Sequence, residues 1–121
     1  MLRFLRLSAL TTFLVTLALP VTAQEFRAVT DRATFVQLVE GRALGRFAVT
    51  LRVGRDGTIN GRAFGRKVTG SWEWQGQYFC RDLSYGDSAL AANCQQVLAR
   101  GDTIRFVADR GRGQSADLTL R

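Results

Sequence analysis

Five aromatic side chains crowd into fourteen positions, Trp72, Trp74, Tyr78, Phe79 and Tyr85, with Arg81 among them. Aromatic walls with a few polar groups are the usual chemistry of a small-molecule pocket. The same residue types also dominate the interior of a small core, so pocket and core both remain open readings. These six residues are the candidate ligand site. Two further groups stand beside them. Cys80 and Cys94 are the two cysteines of the chain, and Asp82 and Asp87 lie close to Cys80. A carboxylate pair can divide acid and base work, as in glycoside hydrolysis. Nothing in this spacing is specific to such a pair, and surface or turn positions suit both residues equally well.

The sequence holds no histidine. That removes the Ser-His-Asp triad and the Cys-His pair. Two cysteines alone cannot complete a four-ligand zinc site, so no metal is expected. The glycine clusters Gly61-Arg62-Ala63-Phe64-Gly65 and Gly111-Arg112-Gly113 match neither a dinucleotide fingerprint nor a phosphate loop, so no cofactor is expected. The chain is basic, with 17 Lys and Arg against 10 Asp and Glu. The arginines are spread over the whole length, which reads as a solvated surface with a preference for anionic partners rather than a nucleic-acid interface.

These groups must be positioned by a small domain behind a leader. Arg3 and Arg6 precede an apolar run, Leu7 to Leu19, followed by Pro20 and the small residues Val21-Thr22-Ala23. This is the order of a secretory signal, with cleavage before Gln24. The apolar run is shorter than a bilayer span. Residues 1–23 are therefore read as a signal peptide and 24–121 as one domain, in the periplasm or outside the cell. Without Arg3 and Arg6 the net charge of +7 falls to +5. A domain of this size is marginal without a covalent aid. In an oxidising compartment Cys80 and Cys94 are expected to pair. The bond would close a loop of about 15 residues and contribute roughly 3 kcal/mol in the chain-entropy picture.

Residues 26–41 are expected to form a short helix. Thr30 or Asp31 can cap it, Phe35, Leu38 and Val39 make one apolar stripe, and Gly41 ends it. Everything beyond alternates with period two. Phe47, Val49, Leu51 and Val53 define one inner face, Ile59, Gly61 and Ala63 the next, and Val68, Gly70, Trp72 and Trp74 a third. A two-residue turn at Gln75-Gly76 then leads into Gln77–Leu83. Residues 84–93 read as a loop tied down by the cysteines. Strands resume near 95–99, 103–107 and 116–120. The expected fold is mainly β: a short N-terminal helix and about seven antiparallel strands in a meander, as a small lipocalin-like barrel or a sandwich with one disulfide. Matching inner faces pairs Val53 with Ile59, Leu51 with Gly61 and Val49 with Ala63. It further pairs Gly61 with Gly70, and Trp72 with Phe79. Arg81 would then point inward and stack on Trp72.

At Thr69–Trp74, Tyr78-Phe79-Cys80-Arg81 and Asn93-Cys94-Gln95 the chain resembles small exported alphaproteobacterial proteins of unknown function. These proteins often carry the label dihydrodipicolinate reductase. The likeness extends to Phe106, Asp109-Arg110-Gly111 and the stretch from Ser115 to Arg121. It implies an exported β domain and supplies no catalytic residues. The label would imply a nicotinamide cofactor on a Rossmann domain with a glycine fingerprint, a pattern this sequence does not contain. Gly70-Ser71-Trp72 also resembles the glycine-tryptophan element of lipocalin-type barrels.

The expected function is a non-enzymatic binding module for a small apolar or anionic ligand. The alternatives are an enzyme, as labelled or a carboxylate-based hydrolase, and a module that docks on or inhibits an envelope protein. An open interior would favour ligand binding, and a filled one would favour docking. No transmembrane segment is expected in the mature chain.

Overall fold

A computed structural model describes residues 8–19 and 24–121. Of the expected leader, residues 1–7 and 20–23 lie outside the described residues; residues 8–19 carry no regular secondary structure and are exposed. The chain runs through β1 (Arg27–Val29), α1 (Arg32–Val39), β2 (Leu44–Arg46), β3 (Val49–Val53), β4 (Thr58–Ala63) and β5 (Arg66–Gln75). It continues through β6 (Tyr78–Tyr85), β7 (Ser88–Ala89), β8 (Asn93–Arg100), β9 (Thr103–Val107) and β10 (Ser115–Leu120). Among the described residues no helix is long and apolar enough to cross a membrane.

The strands form one antiparallel sheet that closes on itself in the order β8-β9-β10-β2-β3-β4-β5-β6 and back to β8. The result is an eight-stranded barrel, the expected fold class, with β1 added beside β8 and β7 beside β6. Closure rests on a short seam of three residue pairs, Phe79 with Gln95, Cys80 with Cys94 and Arg81 with Asn93. The central pair is the expected disulfide. Below this seam β1 takes the place of β6, pairing Val29 with Val97.

The helix is shorter than the periodicity predicts, because Arg27–Val29 is a strand that completes the wall beside β8. Asp31 caps α1, its carboxylate accepting from the Thr34 N–H at 2.8 Å and from the Thr34 hydroxyl at 2.9 Å. Those two bonds hold the Asp31 carboxyl below the usual range. Phe35, Val36 and Val39 are buried, so α1 turns its stripe into the barrel and plugs one end.

The first hairpin register holds as expected: Val49 opposes Ala63, Leu51 opposes Gly61 and Val53 opposes Ile59. Four other readings are corrected. The run 46–53 is two strands, broken by a turn at Phe47-Ala48, and Phe47 projects into solvent instead of the core. The β4–β5 turn is the two-residue Phe64-Gly65, so Gly61 meets Val68 and Gly70 meets Ile59, and the two glycines do not adjoin. A bulky residue with positive φ, here Phe64 at 51°, is no turn signal in a sequence. The β5–β6 turn falls on Gly76-Gln77, one residue late, because a primed hairpin turn favours glycine at its first central position. Trp72 therefore opposes Arg81 and not Phe79. The expected loop 84–93 instead begins as the end of β6 and contains β7.

Gly70 and Gly61 answer to a different need. A Cβ on Gly70 would lie 2.1 Å from the Asp82 carbonyl oxygen, and one on Gly61 would lie 2.1 Å from that of Thr50. The strands coil tightly enough there that only glycine fits, as barrel curvature requires.

The seam makes the disulfide a closing bond. Replacing Cys80 or Cys94 by serine is expected to cost about 3 kcal/mol of stability. Thermal melts of the oxidised parent and each variant check this, and equal melting temperatures would contradict it.

Candidate functional site

The barrel interior divides into a filled half and an empty half. In the filled half Phe35, fully buried, meets the rings of Phe79 at 5.0 Å, Trp72 at 5.3 Å and Trp74 at 5.4 Å. Phe106 closes the cluster, 5.3 Å from Phe79. Such offset and edge contacts are the favoured geometries of aromatic pairs. The Trp72 indole N–H donates to the Gly54 carbonyl at 2.7 Å, which satisfies its one polar atom in the core. The cation over Trp72 is Arg32 of α1, 5.2 Å from the ring centre, not Arg81.

Above Phe79 and Phe106 the other half holds a cavity of about 490 Å³ that opens to solvent. Its walls are apolar: Leu51, Val53, Ile59, Leu83, Ala116 and Leu118. Polar groups border it at few points, chiefly Arg46, Arg81, Gln95 and Gln114. The volume and the mix of lining groups fall within the usual range for small-molecule sites. Arg81 stands where the seam ends. It borders the cavity, and its Nη1 donates to the Ala91 carbonyl at 2.8 Å. Burial presses the Arg81 guanidinium below its ordinary pKa and the neighbouring Asp82 opposes that shift, but a guanidinium stays charged through the physiological range.

Of the six residues singled out by sequence, Phe79 and Arg81 meet at this cavity. Trp72 and Trp74 belong to the filled half. Tyr78 and Tyr85 are half-buried elsewhere, under the guanidinium groups of Arg110 and Arg66 at 5.7 Å each. Sequence reasoning missed Leu83, Leu118, Gln95 and Arg46 as parts of the site. Leu83 was within reach, since it continues the alternation of Phe79 and Arg81 along β6. Arg46 was not, because the turn at Phe47-Ala48 reverses which face it takes: it opposes Val49 rather than preceding it.

The carboxylates are arranged differently. Asp82 lies with Glu73 in a smaller hollow of about 290 Å³ on the outer face of β5 and β6, beside the disulfide. Both are exposed, on the face of the sheet turned away from the cavity. Asp87 occupies the exposed β6–β7 turn and does not line that hollow. Among the described residues no group of three or more His, Cys, Asp or Glu could hold a metal ion.

Comparison with protein-family models, with curated proteins and with solved structures gives no match. The chain is a disulfide-closed, eight-stranded antiparallel barrel with a helix at one end and an apolar cavity at the other.

Phe35 is the centre of the filled half, behind Phe79 and Phe106 at the cavity floor. Phe35→Ala is expected to lower stability by about 3–5 kcal/mol by leaving a void among those rings. Denaturant unfolding measures the loss, and a cost under about 1 kcal/mol would mean the ring is not the plug described.

Proposed function

We propose that the mature chain, residues 24–121, is a periplasmic or secreted binding module without catalytic activity, whose ligand lies in the barrel cavity. The observation that carries this reading is the empty apolar half of a barrel whose other half is densely packed. A chain selected only for stability gains by filling such a space, since each missing methylene forfeits burial and contact. Arg46 and Arg81 at its border favour a ligand with an apolar body and an anionic end, for which a guanidinium supplies charge and paired donors.

Two features support this cellular location. The leader-like order of residues 1–23 supports export. The cross-strand disulfide belongs to an oxidising compartment. The reductase reading gains no support from this architecture. All strand pairings are antiparallel, whereas a dinucleotide fold is built from parallel βαβ units.

A long-chain fluorescent carboxylate such as cis-parinaric acid tests the proposal. It is expected to bind with a stoichiometry of one, and Leu118→Trp, which narrows the cavity from its wall, is expected to weaken binding by at least about tenfold while the disulfide and fold persist. Unchanged affinity in a folded Leu118→Trp variant would sink the cavity as the site.

A further inference from the structure

Within residues 24–121 the large apolar side chains left exposed are Phe47, Phe64 and Leu90. Phe47 is 89% exposed and Phe64 66%. They sit on the tips of the β2–β3 and β4–β5 turns, and the Phe64 N–H donates to the Ala48 carbonyl at 2.8 Å, binding the two tips together. Strand direction puts both tips at the open end of the barrel, next to Arg46 on the cavity border. Phe64 holds its place against local preference. Its φ of 51° suits glycine or asparagine and strains a bulky side chain. Neither ring packs into the core to offset that strain.

The open end is also positively charged. Its turns and strand ends carry Arg46, Arg62, Arg66, Lys67 and Arg112, while Arg110 reaches along the outer wall to the Tyr78 ring. The acids on the same segments are Asp87 and Asp109, and Asp109 accepts from the Asn93 side-chain amide at 2.7 Å. The helix end is mixed in sign: Arg42 pairs with Asp102 and Arg55 with Glu40, and Asp31 and Asp56 stand nearby.

The geometry points to a membrane-docking rim: Phe47 and Phe64 enter the interfacial layer of a bilayer bearing anionic lipid, and the flanking cations meet its headgroups. Two neighbouring apolar tips within a basic surround combine the two terms that hold a protein at such an interface, buried apolar area and attraction to anionic headgroups. A wholly aqueous role leaves two exposed rings, one of them on a strained backbone, without a purpose. Docking in this orientation turns the cavity mouth toward the lipid. The inference stands apart from the cavity reading, because the rim can dock with the cavity empty or full.

The test places tryptophan reporters at the rim and at the far end. Phe47→Trp, Phe64→Trp and, on the opposite β5–β6 turn, Gln77→Trp are each mixed with vesicles whose acyl chains carry bromine, a fluorescence quencher. Quenching beyond the parent's own tryptophan signal is expected at positions 47 and 64 on vesicles containing phosphatidylglycerol. It is expected to weaken at high salt and to be small on phosphatidylcholine alone. Position 77 is expected to stay unquenched. Phe64→Asn, which suits the left-handed backbone, is expected to melt no lower than the parent while its vesicle affinity falls about tenfold or more. Absent quenching at 47 and 64, equal quenching at 77, equal binding to neutral vesicles, or a Phe64→Asn variant that binds vesicles like the parent would each overturn the proposal.

Discussion

A sheet that curls into a barrel must meet itself somewhere, and here it does so across three residue pairs between β6 and β8. Other junctions around the ring run from two pairs, between β10 and β2, to eight, between β5 and β6. The seam is short because β8 serves two partners on one side: β6 along its first residues and β1 along its last. The Cys80–Cys94 bond sits at the middle of that seam and supplies covalently what a longer ladder would supply through hydrogen bonds. The cavity follows from this closure. An open sheet would expose Leu51, Leu83 and Leu118 to water, whereas a closed one turns them into walls.

Closure alone does not decide what fills the interior. The helix does so at one end, because Asp31 starts it and its apolar stripe turns Phe35 among the rings of Trp72, Trp74, Phe79 and Phe106. Among the described residues no equivalent element enters from the other end, where the β2–β3, β4–β5 and β6–β7 connections are tight turns. One of them, Ala108–Gly111, is a short helical turn in which Asp109 and Arg110 take left-handed backbone values. Asn93 holds it by a reciprocal pair, its amide donating to the Asp109 carboxylate at 2.7 Å and its carbonyl oxygen accepting from the Asp109 N–H at 3.1 Å. Strained turns at one end and regular packing at the other are the division expected where function sits on one side of a stable scaffold.

The parts legible from sequence were those governed by local chemistry. The alternation of Val49, Leu51 and Val53 and the turn cluster at 54–57 fixed the first hairpin, and two cysteines without a histidine pointed to the bridge. The parts that were not legible turned on residues acting against type. Ala48 and Phe64 adopt positive φ without being glycine or asparagine, so the turns they form left no mark. The turn at Phe47-Ala48 puts Arg46 on the inner face beside Val49, and the turn at Phe64-Gly65 sets Gly70 against Ile59 instead of Gly61. The glycine turn at Gly76-Gln77, one residue later than read, gives Trp72 Arg81 as its cross-strand neighbour. The partition of the aromatic cluster into core and site depended on α1, whose Phe35 claims Trp72 and Trp74 for the core, and no spacing in the strands foretells where a helix docks.

The central claim is that the upper half of the barrel is a ligand site rather than a packing fault. Native mass spectrometry of the protein isolated from its own cell envelope tests it most directly. One spectrum reads the processed N-terminus, the two-hydrogen deficit of the disulfide and any bound passenger. The account predicts an oxidised chain beginning at Gln24 and carrying one small apolar molecule, which is lost when Leu118 is replaced by tryptophan. A chain that is bare in the parent and the Leu118→Trp variant alike, with the variant the more stable of the two, would contradict it and reduce the cavity to unfilled space.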